Sequence, residues 1–242
     1  MTDPMSEGSS RVNQQARVPQ RSGGTPLELA DDALIAAQRL SEWVARAPTL
    51  EEDVALTNIA LDQLGVARLL LQSLGDEDEL AYRRGDAEFR NCLLVELPFG
   101  RARGDLDFGW TVVWLLFLAA AQKLRYEAWD NEVAAKAVKE SAYHLDHATQ
   151  WVIRLGDGTS LSRERVQAAV EELWPYTHEL TEGIRDDWLS IVEPVLKEAT
   201  LVKPSHDTWR PSGGRSGRHT EHLSYVLAEM QALHRAHPGV QW

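Results

Sequence analysis

The chain has 242 residues, of which 43% are hydrophobic and 26% charged, and carries a formal net charge of −12. That composition is ordinary for a soluble globular chain long enough to bury a sizeable core, and the acidic balance excludes sequence-independent nucleic-acid binding, which needs a basic footprint. The lone cysteine, Cys92, excludes an intrachain disulfide, points to a reducing cytoplasm, and reads as a small core residue rather than a nucleophile.

Residues 1–26 are polar and rich in Gly, Ser and Pro, lack the apolar core of a secretory signal, and are expected to form a disordered extension. Residues 27–242 are expected to form one all-α domain, since no stretch alternates apolar and polar residues between hairpin turns. A helix is expected from Leu27 to Arg46, closed by Pro48. Thr49 and Glu52 have the spacing of a capping box and open a second helix that stops at Gly75. Between Val54 and Leu74, 13 of 21 residues are Ala, Val, Ile or Leu, so this helix is expected to be covered on most sides.

A charged loop follows, then a short helix from Ala87 to Leu97, broken by Pro98 and glycines. Helices are expected over 110–127 and 131–155. The apolar run Val112–Ala121 spans about 15 Å, half of a ~30 Å hydrocarbon core, so it reads as a buried helix and not a membrane span. Further helices start at Ser162 and span 185–200, the latter kinked at Pro194. After a loop, a last helix runs from Thr220 to His237. Four long helices would form the body of a bundle of about seven.

Such a bundle raises the question of a carboxylate-bridged di-iron site, which needs a Glu from each of two helices and Glu-x-x-His from each of the other two. The stretch KESAYHLDHATQW, residues 139–151, puts Glu140 and His144 one helical turn apart. No histidine in the chain, however, follows a Glu or Asp by three residues. The His-x-x-His pairs 144/147, 219/222 and 234/237 lack the further ligands that zinc requires. Glu140, His144, His147 and Trp151 share one helical stripe, nearly opposite Val138, Ala142, Leu145 and Val152, so the polar stripe is expected to face solvent or a partner. Phosphate-binding and serine-hydrolase signatures are absent.

The segments NIALDQLGVAR, RNCLLVELPFG, KESAYHLDHA and the C-terminal GRHTEHLSYVLAEMQALHRAHPGVQW together resemble the structural C-subunit family of phenylacetyl-CoA epoxidase, over residues 29–242. The resemblance implies a ferritin-like helical bundle with extra helices. It also implies a homologous di-iron catalytic A-subunit as partner, a small bridging B-subunit, a separate reductase bringing NADPH, and neither nucleic acid nor membrane. By the same resemblance the ligand positions of the catalytic relative fall here on Ala33, Gln63, Val66, Val113, Ser141 and His144. Only His144 keeps a metal-ligating side chain, so no metal, cofactor or catalytic residue is expected in this chain. If buried, Gln63, Asp62, Arg68 and His144 are expected to hydrogen-bond to one another in place of metal. A free-standing metalloenzyme with an unusual histidine site and an all-α binding or regulatory protein are the alternatives.

Overall fold

The computed structural model describes residues 23–101, 104–205 and 208–240, and among them there are helices and turns but no strand. The expected disordered extension lies outside the described residues as far as residue 22. The first helix, α1 (Pro26–Ser41), opens on a capping box that the hydrophobic pattern does not reveal. Thr25 accepts from the Glu28 amide, Glu28 answers the Thr25 amide at 2.7 Å, and Pro26 occupies the first helical turn. Every residue from Leu29 to Ala37 is buried, Asp31 and Asp32 included. The helix stops at Ser41, short of the expected Arg46, and a turn with Ala45 at φ 61° reverses the chain.

Helix α2 (Leu50–Leu74) packs against α1. The Thr49 hydroxyl accepts from the Glu52 amide at 3.4 Å, but Glu52 turns instead to His147, so only half of the expected capping box forms. The expectation that α2 is covered on most sides is corrected: Leu50, Val54 and Leu61 lie in solvent. Two neighbouring helices shield one face, and its apolar residues outnumber the positions on that face.

The expected helix over 87–97 resolves into a 3-10 turn, Asp86–Glu88, and the single-turn α3 (Leu93–Glu96). Between them the backbone stays extended because α1 claims its donors. The Arg90 amide donates to Asp31 and the Cys92 amide to Asp32, each at 2.7 Å. A helix there would need those groups for itself.

Helix α4 (Phe108–Glu127), capped by Asp107, is the central element, buried without interruption from Gly109 to Gln122. It forms a hairpin with α5 (Glu132–Gly156), capped by Asn131. Contact between α2 and α5 joins the two hairpins into a four-helix body. Helices α6 (Ser160–Leu173) and α8 (Arg185–Glu198, with Pro194 inside it) cover α4, and the short α7 (Thr177–Leu180) links them. Buried tryptophans bind the layers: the Trp188 indole donates to the Phe117 carbonyl at 3.0 Å and Trp114 to Leu94 at 2.8 Å. The expected last helix is two, α9 (Glu221–Met230) and α10 (Ala232–Ala236). The break at Gln231 lets its side-chain amide reach the carbonyls of Ala81 and Arg84 at 3.1 and 3.0 Å.

Candidate functional site

The α2–α5 seam carries four of the six ligand positions, Gln63, Val66, Ser141 and His144, while Ala33 lies on α1 and Val113 on α4. His144 is 1% exposed and faces inward, on a buried stripe of α5 formed by Ala134, Ala137, Ser141, His144, Ala148 and Val152. The expectation that its polar stripe faces solvent is therefore corrected for His144. Spacing by three or four positions puts it with the small residues that let α5 approach its neighbours. Glu140 and His147 flank that stripe at its edges. Glu140 lies 3.3 Å from Lys136, and burial raises its pKa against the pull of that lysine.

Four side chains form a chain of hydrogen bonds across the seam. His144 Nε2 lies 3.1 Å from Asp62 Oδ2, and its Nδ1 lies 3.4 Å from Gln63 Nε2. Gln63 and Gln122 then exchange two amide bonds, each of 2.8 Å. The donors fix the tautomer. An amide N–H pointing at Nδ1 makes that atom the acceptor, so the proton sits on Nε2 and is donated to Asp62. Burial lowers the His144 pKa more than the Asp62 carboxylate raises it, in keeping with a neutral ring. Arg68, expected in this network, is exposed and pairs with Glu77 at 2.9 Å. Gln122 takes its place. Sequence reasoning missed it, although a glutamine directly after the apolar run VVWLLFLAAA is a polar residue at the end of a wholly buried stretch.

Of the remaining positions, Ala33, Val66, Val113 and Ser141 are all buried. Alanine and valine side chains offer no donor atom, and two primary amides with one imidazole do not fit a di-iron centre, which takes carboxylates and histidines. Among the described residues no three His, Cys, Asp or Glu side chains converge as metal ligands. The His-x-x-His pairs part company: His147 pairs with Glu52 at 3.2 Å, His219 pairs with Glu96, and His234 stacks on Tyr82.

A second polar cluster, unforeseen from sequence, ties both ends of the fold together. Asp32 receives Arg215 through two bonds of 2.7 and 3.0 Å, and Asp31 receives Arg84. Glu96 accepts from the Thr220 amide at 2.7 Å and lies 3.0 Å from His219 Nδ1. Glu179 accepts from the amides of Leu93 and Gly213 at 2.9 and 2.8 Å. Each carboxylate is thus neutralised or hydrogen-bonded by a segment distant in sequence. The acid pair in LADDALIAA was the available signal: two aspartates inside an otherwise apolar helix.

Residues 13–183 and 180–242 match the family described as Phenylacetic acid catabolic protein. The chain belongs to that family. The fold of this family member is accordingly ferritin-like, as the sequence resemblance implied. A curated relative, the C-subunit of 1,2-phenylacetyl-CoA epoxidase from Escherichia coli (strain K12), is 40% identical over 245 residues, covering 89% of this chain and 97% of its own length. The family description ties this family to phenylacetic acid catabolism, and the relative is by name one subunit of an epoxidase.

Proposed function

We propose that this chain is a non-catalytic supporting subunit of a cytoplasmic 1,2-phenylacetyl-CoA epoxidase. The observation that carries the reading is the hydrogen-bonded chain Asp62–His144–Gln63–Gln122. It satisfies the polar groups of the bundle centre among themselves, where a catalytic bundle would present carboxylates and histidines to metal. Two reciprocally bonded amides and one imidazole with both nitrogens engaged leave Asp62 as the single carboxylate of this chain of bonds, short of the carboxylates and histidines that a di-iron centre takes.

The chemistry then belongs to a homologous partner. That partner would hold the di-iron centre, receive electrons from NADPH through a separate reductase, and oxidise the ring, with a small bridging component completing the assembly. This chain would supply a rigid helical body on which the catalytic partner keeps its shape. The experiment is co-expression with and without this chain. Epoxidation is expected to fall at least tenfold without it, and undiminished activity of the catalytic partner by itself contradicts the proposal.

A further inference from the structure

Helix α2 leaves a line of apolar side chains in water. Leu50, Val54 and Leu61 are 76%, 53% and 59% exposed, with Thr57 and Leu64 half-buried between and beyond them. Positions 50, 54, 57, 61 and 64 advance by four and three in turn, the spacing by which one helix packs lengthwise on another. The opposite face of α2 is already used, Ile59, Gln63, Val66 and Leu70 being buried within the body. By length and composition α2 could also cross a membrane, with 44% of its most apolar window buried. Its packing on α1 and its hydrogen bonds to α4 and α5 instead fix it in the bundle.

We infer that the Leu50–Val54–Leu61 seam of α2 is a docking surface for a helix of the catalytic partner. The inference rests on the supporting-subunit reading and adds to it the surface and the kind of element that fits there. Area agrees with it. Twenty-five residues at a rise of ~1.5 Å make a face ~37 Å long. With the adjoining face of α5, which carries Lys136 and the exposed Tyr143, two helices ~10 Å wide offer about 750 Å². A stable complex needs about 800 Å² from each partner.

Charge decides against a second copy of this chain. Glu51 and Asp53 stand at the start of the seam, and Asp76, Asp78 and Glu79 just past its end. Two copies, parallel or antiparallel, would set acid against acid. The fitting occupant is an apolar helix with basic residues near its ends.

The test is co-purification of the tagged catalytic partner with this chain as wild type, Leu61→Arg, Val54→Lys and Leu161→Arg. Leu161, on α6, is also 59% exposed and serves as the matched control. Both seam variants are expected to lose co-purification at least tenfold, with circular dichroism and melting temperature unchanged, while Leu161→Arg keeps it. Retention by both seam variants overturns the inference and leaves the supporting-subunit reading standing. Failure of the wild type to co-purify overturns both. A wild-type dimer by light scattering that Leu61→Arg converts to monomer, or flotation with phospholipid vesicles that Leu61→Arg abolishes, assigns the seam to self-association or to a membrane and overturns it as well.

Discussion

Two histidines with shielded side chains, His144 in the α2–α5 seam and His219 in the cluster that anchors the C-terminal segment, show how neighbours decide what one side chain does. His144 accepts from an amide on one nitrogen and donates to Asp62 from the other, so it is neutral. His219 faces acceptors on both sides, Glu96 at 3.0 Å and the Phe89 carbonyl at 3.2 Å, and so needs a proton on each nitrogen. Burial pulls the His219 pKa down, but the hydrogen bond to Glu96 and its charge, helped by Phe89, raise it on balance. The seam thus buries polar groups without full charge pairs at its centre, whereas the anchor buries paired charges. The centre of the bundle is joined through a neutral ring and two amides, while the buried carboxylates Asp31, Asp32 and Glu96 hold Arg84, Arg215 and His219.

The largest effect is expected at Asp32. Asp32→Ala leaves Arg215 buried without its partner and is expected to cost ~3–5 kcal/mol in urea unfolding, a large share of a typical total of ~5–15 kcal/mol. A loss under ~1 kcal/mol would mean that the anchor holds little. In the seam, Gln63→Leu strands the Gln122 amide and is expected to cost ~1–3 kcal/mol, while the double variant with Gln122→Leu recovers most of that loss. Additive losses would contradict the reciprocal pairing.

The histidines should also titrate apart. His144, lowered in the fold, contributes stability that is present above the ordinary value of about 6.5 and is lost as pH falls below it. His219, raised, contributes stability that is full below about 6.5 and is lost as pH rises through its folded value. Ring NMR titrations of the two histidines check both signs, and coincident midpoints would erase the contrast. The smallest effect is chemical. Burial pushes the Cys92 thiol well above its ordinary range, so native alkylation should be negligible over hours and complete after denaturation.

Much of the body was legible because periodicity reports burial: the long helices α2, α4 and α5 fall close to where their apolar spacing and caps place them. What escaped was pairing across distance. Nothing local in Arg215, Glu179 or Glu96 announces a buried partner far along the chain, and the extended stretch at 89–92 exists only because α1 takes its amides. In the seam, Gln63 and His144 were found because they stand in motifs. Gln122 stands in none, and Arg68 looked equally eligible until the direction of its side chain was known. The exposed ladder on α2 was misread for the opposite reason: an apolar surplus looks the same whether the cover comes from this chain or from another.

The most direct measurement is iron per chain, taken on this chain purified alone and on its co-purified complex with the catalytic partner. Iron is expected in the complex and leaves with the catalytic partner when the two are separated, with none in stoichiometric amount on this chain. Stoichiometric iron on the isolated chain, lost on mutation of His144, would contradict it.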